Sequence, residues 1–147
     1  MSEEAAAVSA LRVRDYMTSN PESLAPENRL LDADLLIRRA GVRHIPVLSK
    51  GTLVGLLSER DVRRYAPSIL DSTPEEYNRI FEQTLIDRVM TRGVGTTTPD
   101  TPLAEAASVM YSERCGCLPV VEGGALVGIL TRRDVLRFAV EVLSGNR

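Results

Sequence analysis

A chain of 147 residues, 44% hydrophobic and 26% charged, is long enough for one full core or two small ones and has the balance of an ordinary soluble protein. A net charge of −2 argues against a general nucleic-acid binder, which needs a strongly basic face, and no stretch nears the roughly 18 apolar residues of a membrane span. The opening Met1-Ser2-Glu3-Glu4-Ala5-Ala6-Ala7 lacks the charged-then-apolar layout of a secretory signal, so the cytoplasm is the expected address.

Cys115 and Cys117 stand one residue apart on an expected strand edge, a poor geometry for pairing with each other. A structural zinc site needs four N or S ligands, and His44 is the chain's single histidine, so no metal is expected.

Along the chain, Met17-Thr18 precedes a polar loop and a short extended segment around Glu22 to Leu24. Pro26 keeps its neighbour out of the helical region, Asn28 is the expected N-cap, and Leu30, Ala33 and Ile37 recur at helical spacing up to Gly41. Ile45-Pro46-Val47-Leu48, a turn at Lys50-Gly51 and Leu53-Val54-Gly55-Leu56-Leu57 then read as a hairpin with its proline on an edge. A helix follows from Glu59 through Val62, Tyr65 and Ala66.

Pro67-Ser68 and Asp71-Ser72-Thr73-Pro74 are turn signals, and Glu75 to Leu85 carries Tyr77, Ile80, Phe81 and Leu85 on one face. That amphipathic helix reads as cover for the protein's own core rather than a partner surface. The earlier pattern then returns. Met17 and Met90, Pro26 and Pro99, Leu30 and Leu103, Pro46 and Pro119, Gly55 and Gly128, and Asp61 and Asp134 share one offset of 73, the difference between 90 and 17. In the second copy Thr101 is the expected cap, Pro102 the first helical residue, and Leu103, Ala106, Ala107 and Met110 the core stripe. The fold class expected is α/β (α+β): two β-α-β-β-α repeats packed about a pseudo-twofold axis. The expected boundaries are a tail at 1–12, repeats at 13–66 and 86–142, a connecting segment at 67–85 and a tail at 143–147.

The most informative stretch is Gly55-Leu56-Leu57-Ser58-Glu59-Arg60-Asp61, repeated as Gly128-Ile129-Leu130-Thr131-Arg132-Arg133-Asp134. A hydroxyl residue ending a strand, with an acid three places on, forms a capping box. The same helix end offers free N–H groups and partial positive charge suited to phosphate. One reading is capping alone; the other aims the hydroxyl and the carboxylate at a nucleotide's phosphate and sugar.

These stretches, with Arg43-His44-Ile45-Pro46-Val47 and the full element order twice over, resemble the tandem CBS-domain (Bateman module) proteins, and more loosely the acetoin-utilisation-type members, from about Val13 to about Val142. The resemblance implies a regulatory module without catalytic activity or catalytic cofactor, binding ATP, ADP or AMP, or else S-adenosylmethionine or NAD, in clefts between the repeats. It implies that Asp61 and Asp134 hold ribose hydroxyls, that Ser58 and Thr131 contact phosphate or ribose, and that Arg60, Arg132, Arg133, Pro46 and Pro119 line the sites. It places Thr91 and Cys115-Gly116-Cys117 at the Asp61 site, and Thr18 and Val42-Arg43-His44 at the Asp134 site. The Asp134 site, richer in cations, is expected to bind adenylate more strongly. A homodimer, an unidentified regulated protein and no further catalytic or transport domain are also expected, the alternative being a dimerisation or interaction module that binds no nucleotide.

Overall fold

The computed structural model describes residues 2–66 and 71–146. In chain order these form α1 (Glu3–Ser9), α2 (Val13–Tyr16), β1 (Thr18–Ser19), α3 (Leu30–Ala40), β2 (His44–Ser49), β3 (Thr52–Ser58), α4 (Glu59–Tyr65), α5 (Pro74–Gln83), α6 (Ile86–Val89), α7 (Leu103–Glu113), β4 (Cys117–Glu122), β5 (Ala125–Thr131) and α8 (Arg132–Leu143). The turn expected at Pro67-Ser68 lies outside the described residues.

Both hairpins form as the glycine-bearing turns require. In each, two central residues take positive φ, Lys50 at 51° with Gly51 at 80°, and Gly123 at 58° with Gly124 at 82°. That is the turn whose twist matches a two-residue hairpin. Registers repeat across the 73-residue offset: Pro46 faces Leu56, Pro119 faces Ile129, and a bulge follows Val47 and Val120 alike. The prolines cost no ladder bond. On the outer side of β2 the neighbouring bonds run from Leu24 N to Pro46 O and from Leu48 N to Leu24 O, so no proline N–H is called on.

Two helix starts differ from the sequence expectation. Helix α3 is capped at Arg29, whose N–H donates to Asp32 at 2.7 Å, while the Asn28 side chain accepts from Ala25 N and closes the preceding turn. In α7 the cap position is Pro102, and the Thr101 hydroxyl turns back to that of Thr98 at 2.7 Å. Asn and Thr side chains satisfy local turns as readily as caps, and the turn wins where the chain bends before the helix. The segment at 1–12, expected as a tail, holds α1 and the buried Leu11.

The chain divides into two compact units, one of Glu22–Val94 (the central unit) and one of Met1–Pro21 with Gly95–Arg147 (the terminal unit). Each is a hairpin with helices on it, completed by the head of the other repeat. In the terminal unit β1 pairs with β5, Thr18 facing Ile129. In the central unit Thr91 bridges Leu56 at the equivalent place, through Leu56 N to Thr91 O at 2.9 Å and the return bond at 2.8 Å. The need for glycine follows from these contacts. A Cβ on Gly55 would sit 2.6 Å from Met90 Sδ, and one on Gly128 would sit 2.7 Å from Met17 Sδ and 2.9 Å from the Thr18 carbonyl oxygen.

The central core is built on Leu30, Ala33, Leu36, Ile45, Val47, Leu57, Phe81 and Ile86, with Tyr77 and Ile80 packed against it. Helix α5 therefore covers its own unit, as its periodicity implied. The terminal core uses Leu11, Val13, Tyr16, Leu103, Ala106, Met110, Leu118, Val120 and Leu130.

Candidate functional site

The hydroxyl and acid pairs form capping boxes in both units. In the central unit the Ser58 hydroxyl accepts from Asp61 N at 3.0 Å, and Asp61 Oδ2 accepts from Ser58 N at 2.9 Å. In the terminal unit the Thr131 hydroxyl accepts from Asp134 N at 3.3 Å, and Asp134 Oδ2 accepts from Thr131 N at 2.9 Å. Each box stabilises its helix start by about 1 kcal/mol on the usual scale.

Around these pairs the units differ. Asp134 is only 8% exposed. Its Oδ2 also accepts from the Thr131 hydroxyl at 3.0 Å, and its Oδ1 accepts from the Thr18 hydroxyl at 3.3 Å. Asp61 is half-buried, and among the described residues Ser58 N is its one hydrogen-bond donor. Thr91 sits at the equivalent of Thr18, exposed, without a side-chain bond to Asp61.

The remaining candidates follow their strands. His44 opens β2 opposite Ser58, and the carbonyl of Arg43 accepts from Glu59 N at 2.9 Å. Val42 packs against the central core, and Pro46 is buried. Cys117 opens β4 opposite Thr131, and the carbonyl of Gly116 accepts from Arg132 N at 3.1 Å. Thus Cys115, Gly116, Cys117 and the buried Pro119 lie in the unit of Asp134, and Arg43 and His44 in that of Asp61. Arg60, Arg132 and Arg133 are exposed. Glu59 is tied to Arg63 at 3.0 Å, a pairing its four-residue spacing could have signalled.

Burial pushes the Cys117 thiol up to about 12; neighbouring Cys115 adds to the shift and Arg132 opposes it. Both cysteines are free thiols. Among the described residues no three His, Cys, Asp or Glu side chains converge as a metal site, and no helix is long and apolar enough to cross a membrane.

The model of the CBS domain matches residues 13–68 and 86–141. The chain belongs to the CBS domain family. This CBS pair is 31% identical to the putative acetoin utilization protein AcuB from Vibrio cholerae, with a TM-score of 0.75 over 91% of this chain and 93% of that one. It is 30% identical to CBSX2 in complex with AMP, with a TM-score of 0.76 over 89% and 97% of the two chains; CBSX2 is a CBS-pair protein of Arabidopsis thaliana. Among curated proteins it is 30% identical to the uncharacterized protein MJ1225 of Methanocaldococcus jannaschii, over 86% of this chain and 46% of that protein. The chain spans less than half the length of the curated relatives it first matches.

The matched CBS segments and the compact units are offset from one another. The head of each matched segment, Val13 to Ser19 or Ile86 to Thr91, packs on the hairpin of the other.

Proposed function

We propose that this CBS pair is a non-catalytic sensor of adenosine nucleotides, with one site built on Ser58 and Asp61 and one on Thr131 and Asp134. The observation that carries it is the duplicated hydroxyl and carboxylate pair at equivalent helix starts, in a chain similar over nine tenths of its length to a protein solved with AMP. In each unit the carboxylate would accept ribose hydroxyls, while Arg60, or Arg132 with Arg133, supplies charge for phosphate. Thr18, Thr91, Val42, Arg43, His44, Pro46, Cys115, Gly116, Cys117 and Pro119 complete the proposed lining. AMP is the first candidate ligand, with ADP and ATP next. The regulated protein would read ligand occupancy in the cytoplasm.

Thermal unfolding with AMP, ADP and ATP tests this. A ligand held at 100 times its dissociation constant should stabilise the protein by about 2.7 kcal/mol, and no shift with any of the three would sink the proposal.

A second reading, assembly without nucleotide, draws on helix α8, where Leu136, Val140 and Leu143 stand 63%, 62% and 86% exposed on one face. Pairing this stripe with that of a second copy would remove apolar surface from water. Light scattering should then give twice 16.1 kDa. A dimer that ignores adenylates would favour this reading, and a dimer that also binds AMP combines the two.

A further inference from the structure

A carboxylate offers about four acceptor positions, two on each oxygen. Asp134 has three of them engaged, by the Thr18 hydroxyl, Thr131 N and the Thr131 hydroxyl. Among the described residues Asp61 has one engaged, by Ser58 N. A vicinal diol held by one carboxylate needs two free acceptor positions. Asp61 keeps three and Asp134 keeps one.

We propose that the Asp61 site reads the vicinal diol of a ribose, whereas at the Asp134 site the Thr18 hydroxyl occupies the position the second sugar hydroxyl would need, leaving that site tolerant of 2′-deoxyribose. This rests on the adenosine-nucleotide reading above and goes beyond it, by making sugar specificity unequal and naming Thr18 as the residue that sets the difference.

The inequality has a tertiary origin. Thr18 and Thr91 hold the same register on their hairpins, facing Ile129 and Leu56, yet only Thr18 turns its hydroxyl to the carboxylate beside it. Burial adds to the effect, because Asp134 is 8% exposed and Asp61 half-buried. A second sugar hydroxyl approaching Asp134 must therefore displace an internal donor, while at Asp61 it meets a free acceptor position. Arginines near either carboxylate act on phosphate and leave this sugar preference alone.

The test is calorimetry with AMP and 2′-deoxy-AMP, whose phosphates are the same, so that the ratio of their affinities isolates the sugar. In Asp134→Asn, which leaves the Asp61 site, AMP should bind more tightly than 2′-deoxy-AMP by about tenfold or more, the worth of one hydrogen bond to a charged group. In Asp61→Asn the ratio should fall to within about twofold of one, since the single free position on Asp134 can take the 3′-hydroxyl alone. Adding Thr18→Val to Asp61→Asn should bring the preference for AMP back. Equal ratios in the two asparagine variants, or no recovery with Thr18→Val, would overturn the assignment and leave nucleotide sensing standing. Failure of wild-type protein to bind either nucleotide would overturn both.

Discussion

The central and terminal units share one sequence pattern and one hairpin register, yet they hold their borrowed heads differently. In the terminal unit the head is clamped by side chains. Tyr16, 2% exposed, donates its hydroxyl to Glu141, stacks edge-on against Phe138 with ring centroids 5.5 Å apart, and lies under the Arg137 guanidinium at 4.7 Å. Arg137 also donates to the Tyr16 carbonyl oxygen at 3.1 Å. At the equivalent position the central unit has Val89, and its additional cover comes from α5 through Phe81, 6% exposed. One pattern thus tolerates two ways of securing the same joint, one polar and specific, the other apolar and added on. A tight joint next to Asp134 and a plainer one next to Asp61 accord with a carboxylate that is internally occupied in one unit and open in the other.

The largest break in the symmetry should come from the two close-approach glycines. Gly128→Ala pushes a methyl group against the Thr18 carbonyl oxygen as well as Met17, and backbone yields less readily than a thioether. It should destabilise the protein by about 2 to 3 kcal/mol, and Gly55→Ala, where the contact below 3.0 Å is to the Met90 side chain, by nearer 1 kcal/mol. Denaturant unfolding of both variants checks the order, and a larger loss from Gly55→Ala would remove the distinction between the heads.

Next in size is the polar clamp. Tyr16→Phe keeps the ring but takes a donor from Glu141, and should cost about 1.5 kcal/mol, the lower range for hydrogen bonds to charged groups. Hydrogen exchange should rise in α2 and β1 and stay unchanged in α5. Exchange spreading equally through both units would mean that Tyr16 serves the whole chain instead of its own joint.

The smallest effect is absent at neutral pH. The folded Cys117 thiol is raised to about 12, so it keeps its proton where the unfolded chain has already lost one. The stability this represents is fully present below the unfolded pKa of about 8.5 and drains away as pH climbs from there toward about 12. Wild type should therefore lose stability over that alkaline range more steeply than Cys117→Val, and parallel curves would show that burial does not hold the proton. At pH 8 an alkylating reagent should modify the half-buried Cys115 well before Cys117.

Much of the fold was legible because its signals are local. Glycines at the hairpin turns, apolar residues at helical spacing, and a hydroxyl three places before an acid encode elements within a few residues of themselves. The misplaced caps at Asn28 and Thr101 failed by one residue, since a short polar side chain serves a turn and a cap equally well. The candidate site was legible as residue types and only partly as a constellation. Spacing identified Ser58 with Asp61 and Thr131 with Asp134, but it could not count the donors that reach each carboxylate.

By itself, then, the sequence determined the duplication, the order of elements in each copy, the turns and the capping pairs, all of which depend on near neighbours along the chain. The tertiary structure alone decided that Tyr16 is buried under Arg137, that Gly128 closes on Thr18 as Gly55 closes on Met90, and that Thr18 fills an acceptor position on Asp134 while Thr91 leaves Asp61 open. Those outcomes join groups more than thirty residues apart in the chain, and in places more than a hundred. They turn on which side chain reaches a given oxygen first, a competition settled only by packing in three dimensions.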